Sequence, residues 1–413
     1  MLRRITILLV LLAALSVTAV AQNDSILVTG RDTVAYRYTP IGSTSAKKQS
    51  GEGWRRFVRY IAESNTDSSF ERKVDMSFVP AIYYSPSTSA GLAVMAAGLY
   101  RLDKRNRNIP ASNFSVYATA SLTGFYRVGV RGNNIFCNDN QRIVYNAEFY
   151  SMPTSFWGVG YDAAMTNSAI KYLASRCVVE GKFLQKITKG LYVGAGVDYN
   201  YHFGKFGGKY NSQEALMSRL DGEGVKYNAT GISLYVEFDT RNAISAPQRG
   251  VYVAVQAKVR PKGMNNVGQT LWSSRLVADY YQRLWRGAIV ALDLRGEWNS
   301  KGTPWVYNAS IGGLISMRGY YDGRFNDLCA ITLQAELRQR IYKGFGAAAW
   351  GGVGNVFSTF SAFDWSATLP TYGVGLRYEL KHGVHIRLDY GFGRKDRNGN
   401  LIHGAIFSLN EAF

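Results

Sequence analysis

Val384-His-Ile-Arg-Leu-Asp-Tyr-Gly-Phe392 alternates strictly along its length. Val384, Ile386, Leu388, Tyr390 and Phe392 fall on one face, and His385, Arg387, Asp389 and Gly391 on the other. A period of two is the signature of a β-strand with two unlike faces. Thr371 to Leu380, Ile232 to Asp239, Val251 to Arg260, Ala288 to Trp298 and Ile331 to Arg340 repeat it. A soluble sandwich alternates too, but its strands average about 5–6 residues. Crossing a bilayer at a tilt takes about 9–11 residues, the length of these runs. The polar face carries Glu237, Asp239, Lys258, Arg260, Asp293, Arg295, Glu297, Glu336, Arg338, Arg377 and Asp389. Such charge suits a wet lumen, and the apolar face suits lipid.

Working outward, the pattern gives an all-β chain, a transmembrane antiparallel β-barrel of sixteen strands. The candidates are 73–84, 90–102, 112–122, 125–136, 142–152, 168–186, 190–204 and 229–240, then 249–260, 270–284, 287–299, 329–341, 345–357, 371–381, 384–393 and 404–413. The long links (153–167, 205–228, 300–328, 358–370, 394–403) all follow odd strands, and the short turns follow even ones. With a periplasmic N-terminus, that is the asymmetry of an outer-membrane barrel, long outside and short inside. The final strand ends on an aromatic residue, as an outer-membrane assembly signal does. Phe407, Leu409 and Phe413 share one face, assigned here to lipid.

The start of the chain fits export. Arg3 and Arg4 precede an apolar run, Ile5 to Val17, and Ala19-Val20-Ala21 places small residues at a cleavage site. Residues 1–21 are therefore expected to be a signal peptide, with Gln22 the first mature residue, and 73–413 the outer-membrane barrel. Between them, 22–72 is a polar lead-in whose stretch Gly53 to Glu63 fits one short amphipathic helix. It is either a periplasmic segment or a plug.

Composition agrees: 43 glycines, 28 tyrosines, 20 phenylalanines and 8 tryptophans against 9 prolines. Aromatics at 14% are unusual for a secreted globular enzyme and suit a barrel with interfacial girdles. Cys137, Cys177 and Cys329 are odd in number and far apart, which argues against a disulfide framework. The net charge of +19 is dispersed and, in an exported chain, points to lumen and lipid headgroups rather than nucleic acid.

Three segments resemble the BamA/TamA family of outer-membrane barrels. Gly312-Gly-Leu-Ile-Ser-Met-Arg-Gly-Tyr320 resembles the motif of its sixth extracellular loop, and it lies in the sixth outward link counted here. Phe238-Asp-Thr-Arg-Asn-Ala-Ile-Ser-Ala-Pro-Gln-Arg-Gly250 resembles a strand–turn junction built on Asp239, Arg241, Pro247 and Gly250. Gly373-Val-Gly-Leu-Arg-Tyr378 with Ile386-Arg-Leu-Asp-Tyr390 is similar to the strand 14–15 pair. The resemblance implies that the sixth loop (Gly312, Gly313, Arg318, Gly319, Tyr320) folds into the lumen and that Arg318 pairs with acids on the inner wall. Glu336 is the preferred partner and Asp389 the second. The chain departs from the family at Gly352, where an aspartate is usual, and its lead-in is short for a complete POTRA domain. The resemblance is to a reduced member of the family.

Other chemistry is set aside. His202, His382, His385 and His403 lack metal-ligand spacing. Ser45-Ala-Lys-Lys48 matches a Ser-x-x-Lys pattern by chance in a polar lead-in, and Asp322 and Asp327 read as loop solvation. No catalytic constellation and no cofactor site is expected. The resemblance implies assembly of outer-membrane proteins or translocation, with substrate strands pairing at the seam between the first and last strands. Expected partners are outer-membrane lipid, an outer-membrane protein substrate and a periplasmic recruiting protein. The alternative is a passive channel whose basic lumen favours anions.

Overall fold

The computed structural model describes residues 73–85, 89–102, 111–136, 139–218, 220, 225–243, 246–342, 344–381, 384–409 and 413. The expected signal peptide and lead-in, the helix over 53–63, Ser45 to Lys48, Cys137 and His382 lie outside them.

The alternating segments form one closed antiparallel barrel. In chain order the first half is β1 (Asp75–Ser85), β2 (Ser89–Tyr100), β3 (Ser112–Ser121), β4 (Tyr126–Phe136), β5 (Gln141–Phe156), β6 (Ile170–Thr188), β7 (Leu191–Lys205) and β8 (Lys226–Asp239). Then follow β9 (Gly250–Arg260), β10 (Leu271–Trp285) and β11 (Ala288–Asn299). A small hairpin, β12 (Ala309–Ile311) with β13 (Phe325–Asp327), stands apart inside the long link. The wall resumes with β14 (Cys329–Tyr342), β15 (Phe345–Phe357), β16 (Leu369–Lys381), β17 (Val384–Arg394) and β18 (Leu401–Leu409). Each strand pairs with its neighbours in the chain, β11 pairs with β14 across the hairpin, and β18 returns to β1. That makes sixteen wall strands, as the alternation predicts.

Directly opposed residues share a face, so the register sorts the wall. Leu234 (65% exposed), Leu376 (62%) and Val374 (61%) stand outward, while Asp293, Glu336 and Asp389 are fully buried inside. Long links gather at one end, called here the loop end, and short turns at the other.

The sequence pattern missed three features. The hairpin and two short helices, α1 (Tyr161–Thr166) and α2 (Gln213–Met217), sit in the long links. Pieces of three to six residues are too short to show a period. The last strand is also displaced, spanning 401–409 rather than 404–413. Its register runs from Leu401 opposite Arg394 to Leu409 opposite Ile386.

Two apolar clusters fill the loop end. In one, Leu216 of α2 and Trp305 and Tyr307 of the long link pack on Phe156, Ile170, Tyr172 and Tyr227 of the wall. In the other, α1 and the hairpin join Met317 and Tyr320 against Ala330, Val356 and Leu369.

The seam is the weak part of the wall. Among the described residues, β1 pairs with β2 through eleven registered residues and β17 with β18 through nine, but β1 meets β18 at one registered pair, Tyr84 opposite Phe407.

Candidate functional site

The link between β11 and β14 turns into the barrel and presents Gly312–Tyr320 to the inner wall. Gly312 and Gly313 take φ of 114° and 101°, and Gly319 110°, conformations that side-chain-bearing residues rarely adopt. These bends bring Met317 and Arg318 down onto β14–β17. The Met317 N–H donates to Gln334 Oε1 at 3.1 Å, and Ser316 Oγ donates to Thr332 Oγ1 at 3.0 Å. Thr371 Oγ1 donates to the Arg318 carbonyl at 2.6 Å.

Arg318 has no solvent exposure. Its Nη2 donates to Glu336 Oε2 at 2.5 Å and its Nη1 to Asp389 Oδ2 at 2.8 Å. The guanidinium lies 3.8 Å from the Trp350 ring centroid, well within cation–π reach. Glu336 also accepts from Arg338 Nε at 2.7 Å and meets Arg377 at 3.4 Å. Asp389 accepts from Arg377 Nη1 at 2.5 Å and meets Arg387 at 3.5 Å. Arg387 Nη2 in turn donates to the Leu314 carbonyl at 2.9 Å. Among the described residues, four guanidiniums thus converge on two carboxylates.

The loop lies close because the wall beneath it is bare. A Cβ at Gly391 would stand 2.6 Å from the Arg318 carbonyl, and one at Gly393 would overlap the Tyr320 ring. The Tyr320 hydroxyl donates to the Pro370 carbonyl at 2.7 Å and accepts from the Arg394 N–H at 2.7 Å. Burial pushes its phenol up to about 12, so it keeps the proton it donates.

Gly391→Ala is expected to destabilise the barrel by about 1–3 kcal/mol, because backbone meets backbone and neither side can turn away. Gly351→Ala, whose new Cβ comes no nearer than 3.9 Å to anything, is the matched control. Urea unfolding of the two variants in detergent micelles checks the difference.

The structure places the loop motif, Glu336 and Asp389 together. It does not bring the strand–turn motif to them. Asp239 and Arg241 form their own pair at 2.8 Å, with the guanidinium 4.1 Å from the Tyr252 ring centroid, at the turn end. There Gly250 takes φ 113°, where a Cβ would stand 2.5 Å from the Thr240 carbonyl oxygen, Pro247 is buried, and Asn242 Oδ1 accepts the N–H groups of Gln248 and Arg249 at 2.9 and 3.1 Å.

Phe407 opposes Leu388 on the outer face, and Leu409 is the last paired residue of β18. Phe413 departs from the expected lipid face. Its ring lies 5.3 Å from the Arg338 guanidinium, and its carbonyl accepts from Arg338 Nη2 at 2.9 Å. β18 is described to Leu409, and Phe413 meets a lumenal arginine rather than the outer face.

Gly352 leaves no carboxylate at its position, and a Cβ there would meet Gln334 Cγ at 2.7 Å. Sequence reasoning missed Trp350, Arg338, Arg377 and Arg387 as site residues. Their parity was available: Trp350 opposes Glu336, and Arg377 opposes Arg387. Among the described residues, no group of three or more His, Cys, Asp or Glu could hold a metal ion.

A family described as the Omp85 superfamily domain matches residues 68–413. BamA from Haemophilus ducreyi lacking POTRA domains 1-3 is similar in structure, with TM-score 0.56 at 10% identity over 81% of this chain and 70% of that one. CdiB from Acinetobacter baumannii is also similar, with TM-score 0.53 at 14% identity over 82% of this chain and 60% of its own. The chain therefore spans less than two thirds of CdiB. At these identities the likeness is one of fold. No curated protein matches in sequence.

Proposed function

Because the chain belongs to the Omp85 superfamily, we propose that it assembles proteins into the outer membrane, or moves them across it, at the seam between β1 and β18. The observation that carries this reading is that, among the described residues, one registered pair joins β1 to β18, Tyr84 opposite Phe407. A backbone hydrogen bond contributes about 0.5–1.5 kcal/mol net, so a seam joined at one pair opens at far less cost than its neighbours. The strand edges it leaves are templates for an incoming strand, which would add by main-chain pairing. In this reading the N-terminal 21 residues direct export, the loop end faces outward, and a periplasmic partner helps recruit the substrate.

No observation favours the passive channel, since two apolar clusters fill the loop end of the lumen. Depletion in the native cell is expected to lower the abundance of particular outer-membrane or surface proteins, read by quantitative proteomics of isolated outer membranes. An unchanged outer-membrane proteome overturns the proposal.

A further inference from the structure

Away from the loop arginine, the lumen holds a cavity of about 280 Å³ between β6, β7, β9, β10, β11 and the link residues Tyr307–Ser310. At roughly 10–15 Å³ per water it has room for about twenty. Its lining carries Arg176, Lys258, Arg260 and Arg275 against Glu180 and Glu297.

Two of these cations are already satisfied. Arg275 pairs with Glu297 at 2.9 Å and Lys258 with Asp198 at 2.6 Å. The other two are not. Arg260 is only 8% exposed, yet among the described residues it reaches Ser273 Oγ at 3.5 Å and Asp198 Oδ2 at 3.7 Å and nothing nearer. Arg176 donates to the Asn200 amide oxygen at 2.9 Å and also bonds the Tyr150 side chain, but forms no ion pair among the described residues. Both guanidiniums face the Tyr307 ring, at 5.9 Å and 5.2 Å from its centroid, so the link holds them in place from above.

Two under-paired guanidiniums in a partly desolvated cavity are strongly complementary to an oxyanion, which accepts their forked N–H groups two at a time. We propose that this cavity binds a phosphate group, with Arg176 and Arg260 as its principal donors. A second cavity of about 410 Å³ adjoins it, sharing Arg275, Glu297 and Ser310. Leu314 and Ile315 expose apolar surface along that cavity. It gives room for whatever carries the phosphate, such as a saccharide headgroup. The site is separate from the seam, and its test does not depend on protein assembly.

The test is isothermal titration of the purified full-length barrel in detergent, at constant ionic strength set by chloride. The probes are inorganic phosphate and glucosamine 1-phosphate. Saturable binding is expected below about 10 mM, weakened roughly tenfold or more by Arg176→Gln and by Arg260→Gln. Arg131→Gln, a lumenal arginine on β4 outside the cavity lining, should leave it unchanged. Tighter binding of the sugar phosphate identifies a carried phosphate; equal binding identifies the free ion. Heat-modifiable gel mobility verifies that each variant is folded, and if Arg260→Gln does not fold, the wild type and Arg176→Gln decide. No saturable binding by the wild type, or binding untouched by the arginine substitutions, overturns the proposal.

Discussion

Glu336→Ala is expected to destabilise the barrel more than Arg318→Ala, by about 3–5 kcal/mol against roughly 2–3 kcal/mol. The ordering follows from how many guanidiniums each removal leaves without a carboxylate it now holds. Removing Arg318 costs two charge-assisted bonds and the loop anchor, but leaves Glu336 with Arg338 and Arg377, and Asp389 with Arg377 and Arg387. Removing Glu336 takes a carboxylate from Arg318, Arg338 and Arg377 at once and, among the described residues, leaves Asp389 to face Arg318, Arg377 and Arg387. Urea midpoints in detergent micelles measure the two losses. Both variants should also expose the 300–328 link to protease. Equal losses, or a larger loss for Arg318→Ala, would show that the loop anchor outweighs the charge balance.

The second large effect is at the seam. Tyr84 and Phe407 are a registered antiparallel pair, which places their Cα atoms about 4.5–5.5 Å apart. That spacing lies inside the disulfide window of about 4.4–6.8 Å. The double variant Tyr84→Cys/Phe407→Cys should therefore cross-link on oxidation and hold the seam shut. In a depletion strain, the oxidised form is expected to lose essentially all ability to restore the outer-membrane proteome, and reductant should return it. Full complementation by the cross-linked protein would show that the work is done without parting β1 from β18.

Most of the wall is legible in the chain because burial on one face and lipid on the other impose a strict period of two. The alternation from Val384 to Phe392 and its relatives fixes which residues face the lumen, and so puts Glu336 and Asp389 on the inner wall. What the pattern cannot give is which lumenal residues meet across strands. That depends on register, which is set by pairing rather than by any one strand. Trp350 under Arg318 and Arg387 at the Leu314 carbonyl are consequences of register. The wall glycines carried a signal of a different kind: at Gly391 and Gly393 the lumenal positions are bare, and a bare lane on an inner wall marks where another backbone lies. Phe413 shows the opposite failure. Alternation along the last strand would turn Phe413 outward, yet its ring sits on Arg338.

β17 is the strand that carries Asp389 and the bare lane beneath the loop, and it is also the immediate neighbour of the seam strand β18. Traction on β18 would pass through their nine registered pairs into β17, and from there through Asp389 to Arg318. One edge of the seam is thus tied by a chain of contacts to the inserted link. A load taken up by β18 would therefore bear on the loop arginine.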